Sequence, residues 1–326
     1  MGVDGLEAIA AEYAALEERL ADPSVHRDFR SVRRLRRCLE ALEPLHSDAA
    51  RLRGLQDDLR DARDLAHAGG PAGDPVGDPA SDAVGDPAGD REWTAEAERL
   101  AQQEASLRAD IAARLAARDR YDPYDVIVLV ERVSGDGGCV RALADVYRRR
   151  ARDERLRVED LLSEPPPGPG THEPSEPSSR REPSLLREPF EAFAVIAGEI
   201  GPGAWAGWKH ENGDHRVRLA AQPPSAELDG VVRVTVLPDA ACSPDPGDLR
   251  IDLYCMRVPG APTILRVVHQ PTGIAAHGID PSARRARDNA LRVVSARLAA
   301  AQLDPGEPAA RLLARAPGAV RERRLT

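Results

Sequence analysis

Lysine is almost missing from this chain: of its 45 basic residues Lys209 is the single lysine, and the others are arginine. With 26 glycines, 28 prolines and abundant alanine, that bias reads as the codon usage of a GC-rich genome more than a demand of function. Aromatic residues make up only 3%, so any core must rest on leucine, valine, isoleucine and alanine. The four cysteines, Cys38, Cys139, Cys242 and Cys255, stand far apart with no C-x-x-C spacing. That argues against a zinc site or a disulfide framework, and a reducing cytoplasm is the expected compartment. No apolar run approaches the roughly 18–20 residues of a membrane span. The first residues, Met1 to Glu7, show neither a basic region nor an apolar stretch of secretory type. No metal, cofactor, membrane or DNA partner is expected.

What is present is a charged chain of 326 residues, 30% charged and 42% hydrophobic, long enough for two or three domains. The net charge of −9 is unevenly spread: residues 1–208 carry 28 basic and 41 acidic side chains, residues 209–326 carry 17 and 13. A nucleic-acid contact, if there is one, belongs to the C-terminal part.

Apolar residues at spacings of three and four mark amphipathic helices along the first 120 residues: Leu6, Ile9, Tyr13, Leu16 and Leu20, then Val32, Leu35, Leu39 and Leu42, then Leu45, Ala49, Leu52, Leu55 and Leu59. A later stripe runs Ala97, Leu100, Leu107, Ile111 and Leu115. Pro44 is expected to start a turn or kink the helix. These stripes predict a coiled-coil hairpin or small bundle over residues 1–120. Within it, residues 69–90, with Gly-Asp-Pro at 73–75, 77–79 and 85–87, read as a flexible loop. From Tyr121 the period shortens. Val126-Ile127-Val128-Leu129-Val130 reads as a strand, Ser134 to Gly138 as a tight turn, and Val140 to Leu156 as a helix. Residues 163–189, rich in proline, serine and glutamate, read as a disordered insertion. Further strands are expected at Phe193–Ile200, Ala204–Lys209, Val231–Leu237, Arg250–Met256 and Ile264–Val268, and a helix from about Pro281 to Gln302. The expected fold is a multidomain α+β protein.

Five strings then carry a resemblance. Val133-Ser134-Gly135-Asp136-Gly137-Gly138, Gly207 to Val217 (Gly-Trp-Lys-His-Glu-Asn-Gly-Asp-His-Arg-Val), Val234 to Asp239, Asp248 to Asp252 and Pro271 to Ile274 occur in an order and spacing that resemble the bacterial class I peptide chain release factors. The resemblance spans about 150 residues and implies a helical first domain over 1–120, a decoding-type domain over 121–230, a catalytic-type domain over 231–302, and a basic tail over 303–326. It also implies the ribosome, its RNA and its proteins, as partner.

The departures bear on function. In the family, the span between the Leu-Arg-Ile-Asp and Pro-Thr-Gly-Ile strings holds a Gly-Gly-Gln loop, which enters the peptidyl-transferase centre and aims a backbone N–H at the oxyanion. Paired glycines allow that close approach. Here the span is the shorter run Leu253 to Gln270, and its middle reads Arg257, Val258, Pro259, Gly260, Ala261, Pro262, Thr263. A single glycine between two prolines makes a short stiff turn. The decoding tripeptide is likewise unrecognisable: His215-Arg216-Val217 leads through Arg218 and Leu219 to Ala220, Ala221 and Gln222. His215, His269 and His277 have no nucleophile at a spacing that suggests a new hydrolytic site. The reading is a ribosome-binding relative without the family's hydrolytic step, with Arg284, Arg285, Arg287, Arg292 and Arg297 of the last helix as candidate RNA contacts. The alternatives are an active hydrolase with a remodelled loop at 257–263, or a decayed paralogue working through protein contacts.

Overall fold

The computed structural model describes residues 3–68, 87–162, 190–220, 227–240, 244–254, 262–314 and 320–325. The chain forms two compact units, Met1–Arg118 and Asp119–Thr326. The expectations for 69–86 and 163–189 lie outside the described residues.

The first unit is helical: α1 (Val3–Ala21), α2 (Phe29–Ala68) and α3 (Pro87–Ala117). The stripes read from the sequence meet in its interior, where Ile9, Leu42, Leu45, Ala49, Leu52 and Ile111 share one core and Leu59, Ala62 and Leu100 another. Two expectations are narrowed. Of the turn or kink expected at Pro44, the turn is absent: α2 is helical from Phe29 to Ala68 through that residue. Pro44 sits on the exposed side, while Leu42 and Leu45 beside it are held in the core. Burial of those neighbours outweighs one lost backbone bond. The expected loop 69–90 also ends early, because α3 begins at Pro87.

The second unit is built on two sheets. The larger has the strand order β2-β3-β1-β5-β4-β9, formed by β1 (Val126–Gly135), β2 (Arg157–Leu162), β3 (Phe190–Ile196), β4 (Gly213–Ala220), β5 (Glu227–Pro238) and β9 (Arg321–Leu325). Every pairing is antiparallel except β4 with β9. The smaller sheet, β6 (Leu249–Tyr254), β7 (Thr263–His269) and β8 (Ala275–Asp280), is an antiparallel meander. The apolar run of β1 is explained by burial on both faces. Val126, Val128 and Val130 point to a core shared with α4 (Gly138–Asp153), Trp205 and Trp208, while Ile127 and Leu129 point to one shared with β7 and α6 (Ala283–Ala301). Position 230, the expected boundary between two domains, lies inside β5. At the end of β1 the register slips between Arg132 and Ser134, so Val133 is the extra residue of a bulge. Gly135 follows at φ +78, and a Cβ there would meet the Asp229 carbonyl oxygen at 2.4 Å, so glycine is required.

Two more elements differ from expectation. Residues 204–209 are not a strand: α5 (Ala204–Trp208) is a short helix. Trp205 and Trp208, three apart, are both buried there, as helical spacing permits and strand alternation does not. Nor are residues 303–326 simply a basic tail. They contain α7 (Pro308–Leu313) and β9, which is bound along the edge of β4. Among the described residues no helix is long and apolar enough to cross a membrane.

Candidate functional site

The segment Gly207–Val217, one of the five strings that carry the resemblance, proves to be a structural hub. The Lys209 ammonium donates to Asp119 at 3.0 Å and Asp122 at 2.6 Å, and the Trp205 indole N–H donates to Asp119 at 2.9 Å. Two residues on, the Glu211 carboxylate accepts from the Tyr147 hydroxyl (3.0 Å), Arg150 (2.9 Å) and Arg323 (2.7 Å), with Arg321 at 3.5 Å. Burial alone would raise the Glu211 carboxyl, but Arg323, Tyr147 and Arg150 together hold it below the ordinary carboxylate range. Asn212 donates to the Val236 carbonyl and accepts from the Val236 N–H, locking the start of β4 to β5. His215 is fully buried with its Nε2 on the Glu211 carbonyl at 2.9 Å. Burial pushes its pKa below the usual histidine value. Asp214 pairs with Arg233, and Arg216 with Asp229. Through Lys209, Glu211, Asn212, Asp214 and Arg216 the string thus ties α4, α5, β4, β5 and β9 together.

Two strand connections stand where the resemblance places decoding and catalysis. Strands β4 and β5 pair out to Ala220 and Glu227. Ala220 ends β4, whereas Ala221 and Gln222 lie outside the described residues. Strands β6 and β7 pair out to Tyr254 and Ile264, and with β7 beginning at Thr263 the residues between the two strands are 255–262. Of the degenerate loop only Pro262 and Thr263 are described; Arg257, Val258, Pro259, Gly260 and Ala261 are not.

Register brings α6 to that second connection. Thr263 stands opposite Asp280 at the end of β8. Asp280 accepts from the Ser282 N–H at 2.7 Å and from Arg285 Nε at 3.1 Å, and Ser282 caps α6 through Arg285 N–H. The N-terminus of α6 therefore lies at the same end of the small sheet as the β6–β7 connection. Arg284, Arg285 and Arg287 are exposed there, Arg284 with its side chain 90% accessible. The first turn of α6 holds no acidic residue. Cations at a helix N-terminus oppose the helix dipole; Asp280 partners Arg285 and Asp288 lies 3.8 Å from Arg284, and the exposed cluster presents positive charge to an approaching anion.

The five candidate arginines separate sharply. Arg292 is buried: Nε and Nη2 grip Asp239, with contacts from 3.2 to 2.5 Å, and Nη1 reaches Glu159 at 2.7 Å. Burial would lower its pKa, but the two carboxylates hold the guanidinium charged. Arg297 donates to the Ala275 carbonyl at 2.8 Å and to Glu131 at 3.2 Å. Both arginines join strands to the helix, Arg292 buried and Arg297 partly buried. Close approach of α6 also needs Gly278, where a Cβ would lie 1.9 Å from the Ala286 carbonyl oxygen. Sequence reading missed Arg218 and Arg324, cross-strand neighbours on β4 and β9 beside the β4–β5 connection. Their juxtaposition depends on β9 being a strand, and an Arg-Glu-Arg-Arg string carries no apolar alternation to say so.

The histidines do not assemble into a site. His215 lies in the large sheet, and His269 holds the Thr272 hydroxyl at 2.8 Å in the turn after β7. His277 on β8 is held down to about 4 by burial, with Arg266 and Arg297 adding repulsion. Among the described residues no group of three or more His, Cys, Asp or Glu side chains is placed to hold a metal ion.

The family model described as the PCRF domain matches residues 9–170. Peptide chain release factor 1 of Acidothermus cellulolyticus is 30% identical to this chain, covering 93% of it and 77% of the relative. That of Kocuria rhizophila is 30% identical with 94% and 79% covered, and that of Streptomyces coelicolor 28% with 93% and 80%. A solved structure, RF2 of Thermus thermophilus, matches at 21% identity and a TM-score of 0.45 over 91% of this chain and 77% of the other. The chain belongs to the class I peptide chain release factor family.

Proposed function

We propose that this protein acts in translation termination as a ribosome-binding member of its family that does not hydrolyse peptidyl-tRNA by the family mechanism. The observation that carries the reading is the sequence between β6 and β7: a run with one glycine flanked by Pro259 and Pro262 takes the place of Gly-Gly-Gln. Proline fixes φ and offers no N–H, and the sequence here has none of the paired glycines with which the family presents an N–H to a developing oxyanion. Family membership supports the ribosome as partner. The exposed Arg284, Arg285 and Arg287 at the dipole-disfavoured end of α6 support an anionic surface there, of the kind RNA phosphates present. On this reading the helical unit supplies protein contacts, 121–230 stands where family members read the codon, and 231–302 occupies the catalytic position without its chemistry.

The test is competition. The chain is titrated into ribosomes halted at a stop codon in the presence of an active class I release factor, and bound protein is followed by co-sedimentation. The expected result is co-sedimentation at moderate salt and progressive displacement of the active factor. Failure to bind would leave a role through protein contacts elsewhere.

A further inference from the structure

Among the described residues, β6 has β7 on one side and no strand on the other. Its residues alternate between two faces. Leu249, Ile251 and Leu253 stand beside His269, Val267 and Leu265, on the face that α6 covers. Helix α6 lies over β7 and β8 and does not extend across β6. Ile251 and Leu253 are therefore left 40% and 57% exposed on an edge strand, next to a buried core. Such an edge is a template for another strand. Charged side chains are one of the devices that blunt such edges, and charges of a single sign repel a copy of the same strand. Here the opposite face carries Arg250 and Asp252, two residues apart and joined to each other at 2.9 Å.

That alternation is self-complementary. In an antiparallel two-fold pairing of β6 with itself, a register that sets position 250 opposite 252 meets Arg250 with the partner's Asp252, and Asp252 with the partner's Arg250. It places Ile251 against the partner's Ile251 and Leu253 against the partner's Leu249. A shift of two residues one way faces arginine with arginine, and the other way aspartate with aspartate. A shift of one residue turns the apolar face against the charged one. One register alone satisfies charge and burial together. We propose that the β6 edge is a self-association surface that takes a second copy of this chain antiparallel in that register, joining the two small sheets into one of six strands. The contact is short and sits at the low end for a specific interface, so the dimer is weak and concentration-dependent. The inference does not rest on the ribosome reading.

The test is sedimentation equilibrium of the full chain from about 1 to about 500 μM, a range that brackets affinities of this class. A monomer–dimer equilibrium is expected. Arg250→Asp and Asp252→Arg, made singly, put like charges opposite each other and weaken dimerisation by about tenfold or more. An equimolar mixture of those two variants, and the double swap in one chain, both restore it. Circular dichroism checks that each variant is folded. A chain that stays monomeric throughout overturns the proposal. So does a dimer indifferent to the single reversals, which would place the interface elsewhere. Hydrogen exchange separates the remaining occupant: β6 amides protected equally at all concentrations would mean that another segment of the same chain covers the edge, and the proposal would fail.

Discussion

Replacing Arg292 with alanine decides whether that arginine builds the fold or meets a partner. Its side chain is 7% exposed and binds Asp239, itself 13% exposed, and Glu159, which is 32% exposed. The variant Arg292→Ala leaves the Asp239 carboxylate buried without its guanidinium, whereas Glu159 can turn toward water. Breaking a buried ion pair from one side costs about 3–5 kcal/mol; with one of two carboxylates able to rehydrate, the low end of about 3 kcal/mol applies. For a unit of this size that lowers Tm by about 6–12 °C. Trp205 and Trp208 are buried in the second unit, and Trp93 lies in α3 of the first. In a Trp93→Phe background, tryptophan fluorescence during urea unfolding therefore reports the second unit alone. Arg284→Ala, at a side chain 90% exposed and 3.8 Å from Asp288, should change stability by less than about 0.5 kcal/mol. If Arg292→Ala were equally harmless while lowering ribosome affinity, the assignment of Arg292 to the interior would be refuted.

Three further outcomes follow from the same structure. Gly278→Ala forces a Cβ against the backbone of α6 and should cost about 3 kcal/mol or more; Gly207→Ala, with open space around it, should be neutral within about 1 kcal/mol, and equal effects in urea melts would count against the helix–strand contact. His277 has its pKa depressed to about 4, so the unfolded chain takes up a proton near pH 6.5 before the folded chain does. Stability falls as pH drops from about 6.5 to 4 and this contribution is constant outside that window, a loss of about 1–2 kcal/mol once partial exposure is discounted; His277→Leu should flatten that part of the pH profile in thermal melts. Replacing Arg284, Arg285 and Arg287 together with alanine should leave Tm nearly unchanged but reduce the slope of log ribosome affinity against log salt by about 2–3; an unaltered slope would remove these residues from the interface.

Much of the fold was legible because burial is written into local pattern. The stripes of α1, α2 and α3 carry the 3.6 period over several turns, and β1 announces itself by five consecutive apolar residues that feed two cores. Short elements were not legible. Helix α5 has five residues, too few to separate a spacing of three from strand alternation, although its two tryptophans held the clue. Strand β9 has no apolar face to read, and its place depends on Glu211, more than a hundred residues earlier. The same limit applies to the arginines of α6. Helical spacing puts them on a charged surface, yet only the carboxylates of β2 and the residue after β5, Glu159 and Asp239, determine that Arg292 turns inward while Arg284 stays in water. The Lys-x-Glu string was read as a family mark, and its physical role, a hub that joins five elements, needed the three-dimensional partners of Glu211 and Lys209.

The central claim is that family membership here does not carry the hydrolytic step, and single-turnover peptide release tests it most directly. Ribosomes carrying labelled peptidyl-tRNA at a stop codon are mixed with saturating protein, beside an active class I release factor as the positive control. The account predicts release no faster than without factor, at concentrations where co-sedimentation shows the ribosomes occupied. Stop-codon-dependent release well above that background would contradict it and assign catalysis to the remodelled run 257–263.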